Sequence, residues 1–110
     1  MFKQGDIVSV NFPFSDITFF KKRPALIVSN QKVNQSGDYL LVQITSKVKN
    51  DGLSLQLKRR NYLEKELPLQ SYIRIHKIFL LNESLILQKV SAFKQFTGLT
   101  PSRFRNQAGK

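Results

Sequence analysis

The chain of 110 residues contains no cysteine, no tryptophan, one histidine and only seven acidic residues. Without cysteine there is no disulfide and no thiolate metal site. One imidazole and a few scattered carboxylates give no metal-ligand spacing, so neither a metal nor another cofactor is expected. Long apolar runs are missing too. The richest stretch, KIFLLNESLILQKV, is broken by Asn82 and Glu83 and is far too short to cross a bilayer. The opening MFKQGDIVSV lacks a basic segment followed by an apolar core, so no signal peptide is expected. These absences point to a cytoplasmic protein that makes no membrane contact.

Positive charge is what the chain has in excess. Eighteen lysines and arginines give a formal net charge of +11. Such a surplus opposes compaction by self-repulsion and commonly answers to a polyanion. It is not a basic tail on a neutral domain: residues 1–50 hold seven cations against three acids, and the remainder eleven against four. The length fits one domain with a modest core.

Short strands separated by turn signals dominate the pattern. DIVSVNF alternates, with Ile7, Ser9 and Asn11 on one face and Val8, Val10 and Phe12 on the other. ALIVS is a second strand, entered through Pro24. DYLLVQIT follows the turn at Gly37-Asp38, and LSLQL follows Asn50-Asp51-Gly52. SYIRIHKIF makes a fifth strand and SLILQKV a sixth. Helix is expected only around RNYLEKEL, ended by Pro68, and after Ala92. Five or six short strands in so small a chain predict a bent sheet closing into a barrel.

Four segments carry residues suited to chemistry. The loop PFSDITFFKKRP is long for a hairpin connection and ends in Lys21, Lys22 and Arg23. Lys-Lys-Arg alone reads as a solvated basic loop, but an arginine at a strand entrance can grip a phosphate with two parallel hydrogen bonds. In VQITSKVKN, Thr45 is either a strand residue with its hydroxyl satisfied locally or a donor to a phosphate oxygen; Ser46, Lys47 and Lys49 follow it. In SYIRIHKIF, alternation places Tyr72, Arg74 and His76 on one face, with Ile73 and Ile75 turned into the core. A lone histidine is commonly structural, yet an imidazole beside an arginine in a very basic protein can move a proton at neutral pH. Lys58, Arg59 and Arg60 form a second basic cluster, either solvated or tracking phosphates.

In this order the segments resemble the MazF/PemK family of toxins from toxin–antitoxin pairs. GDIVSVNFPFSD is similar to the family's opening strand and loop, KKRPALIVSN to its Arg-Pro strand entry, LVQITSK to its Ile-Thr-Ser strand end, and SYIRIHKIFLL to its Ser-x-x-Arg-x-Asp-Lys strand. The resemblance implies a mainly β fold, a small SH3-like barrel of the MazF/CcdB type with one or two short helices, over residues 1–94. It further implies a homodimer, an acidic cognate antitoxin, and metal-independent, sequence-selective cleavage of single-stranded RNA to a cyclic phosphate and a 5′-hydroxyl. By position, Arg23, Thr45 and Arg74 match the family's groove residues, whereas Gly5, Asp6 and Pro24 match barrel-shaping positions. His76 stands where the family often has an acid, which makes it the candidate for proton transfer. RNA contacts are expected from Lys21, Lys22, Ser46, Lys47, Lys49 and Tyr72, with Phe19 or Phe20 available to stack bases. The family's first-loop histidine is absent; Ser15, Asp16 and Thr18 are the polar residues there. Residues 95–110, with Gly98 and Pro101, depart from the family's amphipathic helix and are expected to form a basic, poorly ordered tail. The alternative is a non-catalytic member of the fold that binds RNA or DNA gyrase.

Overall fold

The computed structural model describes residues 1–13 and 20–94, with Phe12, Pro13, Phe20 and Lys21 described by backbone alone. The first loop, with Ser15, Asp16, Thr18 and Phe19, and the expected tail at 95–110 lie outside the described residues. Six strands form one antiparallel sheet: β1 (Asp6–Pro13), β2 (Phe20–Ile27), β3 (Asp38–Thr45), β4 (Ser54–Leu57), β5 (Ser71–Asn82) and β6 (Ile86–Ala92). Their order across the sheet is β4-β5-β3-β2-β1-β6. Among the described residues no helix is long and apolar enough to cross a membrane.

The period-2 pattern makes the sheet apolar on both faces. One face carries Val8, Val10, Ala25, Ile27, Tyr39 and Leu41, covered by Phe2 and Leu85. The other carries Ile7, Leu26, Val42, Ile44 and Ile73, and packs against Tyr62 and Leu67. Each buried Ile, Leu or Val there contributes roughly 1.5–3 kcal/mol. Tyr62 and Leu67 belong to a strap, residues 58–70, that runs from the end of β4 across this second face to β6. It is fastened by a bridge between Tyr62 and Phe93 and by the Leu63 amide donating to the Ala92 carbonyl at 2.8 Å. The Ser91 hydroxyl donates to the Lys65 carbonyl at 2.6 Å, and Lys89 Nζ donates to Glu64 Oε2 at 2.8 Å. The strap thereby bridges the two open edges and closes the curled sheet. The helix expected around RNYLEKEL is only a 3₁₀ turn at Arg59–Asn61, because Tyr62 and Leu67 are pulled onto the sheet at a spacing no helix would give.

Other departures from the sequence reading are local. Pro24 does not open β2; the strand starts at Phe20, so Lys21, Lys22 and Arg23 lie in the strand rather than in the loop. β2 pairs with β3 only over Ala25–Ile27, and Pro24 sits where one side of the strand has no ladder partner, a position proline tolerates. A four-residue helix, α1 (Gln31–Asn34), has no periodicity to announce it. It forms because Asn30 caps it, its Oδ1 accepting from the Val33 amide at 3.1 Å, and because buried Asn34 hydrogen-bonds both the hydroxyl and the carbonyl of Ser29. Gly37 then adopts φ 92°, a left-handed turn that returns the chain into β3. In β5 the strict alternation fails. Val42 pairs with Ile78 but Ile44 with Ile73, so five residues of β5 span two of β3. Ile75, expected in the core, is 49% exposed inside this irregularity.

Candidate active site

The site is built where β2 and β3 part. Their ladder ends at Ala25–Gln43, and extending the same register two residues would set Arg23 opposite Thr45. No ladder forms there, and the gap is flanked by a cavity on each face of the sheet. Odd-numbered Arg23, Gln43, Thr45 and Lys47 line one, together with Lys49, Arg74, His76 and Lys77, in a basin of about 340 Å³. Even-numbered Lys22, Pro24, Ile44 and Ser46 line the other, a cavity of about 470 Å³. The strap supplies its outer wall from Lys65 to Leu69, and Ser9, Ser71 and Val90 complete it. Arg23 and Thr45 line both.

The basin follows from the sheet pattern. Val10 and Ala25 fill the apolar core on the face that Arg23 shares as the cross-strand partner of Val10. Toward the ends of β2 and β3 the same face becomes polar. Thr45 Oγ1 accepts the Lys47 amide at 3.1 Å, which fixes the hydroxyl oxygen and leaves its proton for another acceptor. The irregular stretch of β5 turns His76 and Lys77 outward, both exposed, onto the rim.

Arg74 is nearly buried, at 7% exposure. Its Nη1 donates to Asp51 Oδ1 at 3.0 Å and to Ser54 Oγ at 2.8 Å, while Nη2 donates to Asp51 Oδ2 at 2.9 Å. Three of its five N–H groups are thus committed. The hydrogen bond from Arg74, aided by the Leu53 amide, holds the Asp51 carboxyl well below the usual carboxylate range. Asp51 in turn raises the guanidinium further. Sequence reading took Asn50-Asp51-Gly52 as a turn only. Gly52, at φ 75°, does make that turn, and Ser54 then pairs with Arg74 across β4–β5. The register of β4 against β5 was the missing information.

Of the residues selected from sequence, Arg23, Thr45, Lys47, Lys49, Arg74 and His76 share the basin. Lys22 and Ser46 line the second cavity. Tyr72, half-buried, is the cross-strand partner of Thr45 but is not among the residues lining either cavity. The Lys21 side chain lies outside the described residues. Gln43, Lys77 and the strap wall were not anticipated: Gln43 and Lys77 stand inside the segments LVQITSK and SYIRIHKIFLL but were given no role, and the strap carries no recognisable motif.

Solved structures of the same fold cover nearly the whole chain. An endoribonuclease in complex with its cognate antitoxin from a Mycobacterial species matches with TM-score 0.67 at 15% identity, over 99% of this chain and 96% of that one. A MazE–MazF structure from Deinococcus radiodurans matches with TM-score 0.65 at 19% identity, over 97% and 92%. MazF from the same organism gives TM-score 0.62 at 20% identity, over 98% and 96%. The expected SH3-like barrel of the MazF type is therefore the fold. No curated protein matches the chain. The family described as "PemK-like, MazF-like toxin of type II toxin-antitoxin system" matches residues 3–97, most of the sequence. The chain belongs to the PemK-like, MazF-like family of toxins of type II toxin–antitoxin systems.

Proposed function

We propose that the protein is a metal-independent endoribonuclease that cuts single-stranded RNA in the cationic basin. The observation that carries this reading is convergence: Arg23 from β2, Thr45 from β3, and Arg74 and His76 from β5 line one cavity. Cleavage by a ribose 2′-hydroxyl needs a proton acceptor beside that hydroxyl, a donor at the leaving oxygen, and positive charge around the phosphorane. The 2′-oxygen attacks phosphorus, the P–O5′ bond breaks, and the proton lost from the 2′-hydroxyl is balanced by one delivered to the departing 5′-oxygen. The products are a 2′,3′-cyclic phosphate and a 5′-hydroxyl. His76 is the proton-transfer group in this scheme, and Arg23 with the Thr45 hydroxyl holds the phosphate oxygens. Arg74 stabilises charge through its two remaining N–H groups, aimed by Asp51 and Ser54. Lys47, Lys49 and Lys77 neutralise neighbouring phosphates.

Two partner assignments accompany this reading. An acidic antitoxin segment fits the basin by charge. A second copy of the chain fits an apolar strip on β3 and β5, where Leu40 faces Leu80 across the ladder and Ile78 stands two residues before Leu80 on the same strand. Leu40, Ile78 and Leu80 are 37%, 60% and 62% exposed, too apolar a strip for a strand pair meant to face water.

Digestion of mixed RNA with EDTA present, followed by end mapping, tests the activity. Cyclic-phosphate ends are expected from the wild type, and Arg23→Ala is expected to lower the rate about 10²- to 10³-fold, the usual loss for one transition-state contact. An unchanged melting temperature shows that the variant still folds. Intact RNA retained in a shifted band would instead make the protein an RNA-binding module, a reading favoured by the engagement of Arg74 with Asp51. Full activity in folded Arg23→Ala would remove Arg23 from the chemistry.

A further inference from the structure

The second cavity has no place in the scheme above, yet it shares Arg23 and Thr45 with the basin. Resting on the endoribonuclease reading, we infer that it is a base-selecting pocket for the nucleotide next to the cut linkage, and that Glu66 makes it prefer an amino-bearing base over uracil.

The chemistry of the lining sets what can enter. Ile44 and Pro24 form the sheet side, and Leu67, Pro68 and Leu69 face them from the strap. Such walls take a flat, largely apolar group and desolvate it, whereas a phosphate would lose its hydration with little return. A nucleotide has both parts. With its phosphate at Arg23 and Thr45 in the basin, its base is one sugar away, and the adjoining concavity is the one that shares those two residues. A volume of about 470 Å³ is within the range of pockets that hold small organic groups.

The wall is pre-organised. The strap is tied to β6 at Leu63, Glu64 and Lys65, as described above. At its other end the Ser71 hydroxyl donates to the Leu69 carbonyl at 2.8 Å, and Gln70 Nε2 donates to the Leu57 carbonyl at 3.0 Å. A fixed wall selects shape without an ordering penalty.

Glu66 is the unusual member, a carboxylate lining a cavity beside an anion-binding basin. Among the described residues its ion-pair partner is Arg59, whose Nε is 3.8 Å away and exposed, so the pair is weak. A carboxylate only accepts hydrogen bonds. Cytosine, adenine and guanine offer amino protons on their pairing edges, whereas uracil offers one imino proton between two carbonyls that a carboxylate repels. Lys65 at the same wall can meet a base carbonyl but does not favour uracil uniquely, since guanine and cytosine carry one too.

The test is end-mapped digestion of a random-sequence RNA library by wild type, Glu66→Gln and Leu67→Trp, each checked for folding by thermal melting. Wild-type cuts should share an amino-bearing base at one position beside the break. Glu66→Gln should reduce discrimination against uracil there about fivefold, the low end for one base-edge contact. Leu67→Trp, which fills the cavity, should flatten the preference at that position and no other. Wild-type preferences retained in both folded variants would overturn the inference and leave the endoribonuclease reading intact. If the wild type leaves RNA uncut, that reading falls instead, and filter retention of the same library decides the pocket. Enrichment of amino-bearing bases that Glu66→Gln loses upholds it, and equal enrichment in both proteins overturns it.

Discussion

Salt dependence of RNA binding gives the most direct measure of the basin. Among the described residues five cations line it: Arg23, Lys47, Lys49, Arg74 and Lys77. The Asp51 carboxylate, within 2.9 Å of Arg74, is committed to one of them, and four phosphates are taken as the number neutralised. Each phosphate neutralised on a single strand contributes about −0.7 to the slope of log K against log salt, so four predict a slope of about −2.8. Between 50 and 200 mM salt, affinity should then fall about 50-fold. Lys49→Met, exposed and assigned no part in proton transfer, should reduce the slope to about −2.1 and that fall to about 18-fold. The cluster at Lys58, Arg59 and Arg60 lines neither cavity. If RNA tracked it as well, seven phosphates would be neutralised and the slope would approach −4.9 by the same rule, about −0.7 each. Fluorescence anisotropy with a labelled, fully 2′-O-methylated oligonucleotide measures this without cleavage, at fixed pH and with EDTA. A wild-type slope weaker than about −1, or an identical slope in Lys49→Met, refutes the basin as the phosphate site.

Asp51→Asn should raise the net charge of the basin by one, steepening the slope by about 0.7. It should also lower the cleavage rate, because Arg74 loses the carboxylate that aims it; an unchanged slope and rate would show that the pair has no bearing on RNA. The pH dependence follows by sign: a carboxyl held below its ordinary value contributes stability above that value and loses it only as pH falls through the lowered one. A rate that titrates near neutral pH therefore cannot originate in the Arg74–Asp51 pair. Ile78→Lys places a charge in the apolar strip of β3 and β5 and should convert a dimer to a monomer in light scattering; a dimer that persists puts the interface elsewhere.

The strands were legible because one residue in two is apolar along them. β3 was read with its observed bounds, and β1, β4 and β6 to within a residue or two. Alternation reports which side chains share a face, but not where a ladder stops. That limit explains Arg23, whose strand was read as starting after it, and Ile75, which alternation sends inward and the irregular β3–β5 register sends out. It also explains Asp51 and Ser54, whose contacts with Arg74 span 23 and 20 positions in sequence and depend on how β4 lies against β5. The strap escaped notice for another reason. Its contacts are single anchors, Tyr62 and Leu67 in the core and Ser91 and Lys89 from β6, with no period to detect.

A sheet with a core on both faces has few places to put a polar site, since a charged side chain on either face would be desolvated. Parting β2 from β3 after Ala25 resolves this. The odd positions change from Ala25 and Leu41 to Gln43 at the last ladder pair and to Arg23 and Thr45 beyond it, without disturbing the core they continue. The even positions stay apolar through Pro24 and Ile44, because the strap still covers them. One gap thus separates a wet cationic surface from a drier apolar one by the thickness of a single sheet. That separation matches the division within a nucleotide between phosphate and base. Filling the gap should therefore impair both: Ser46→Trp, beside Thr45 and on the apolar side, should affect base preference before salt slope, whereas any cation lost from the opposite side should do the reverse.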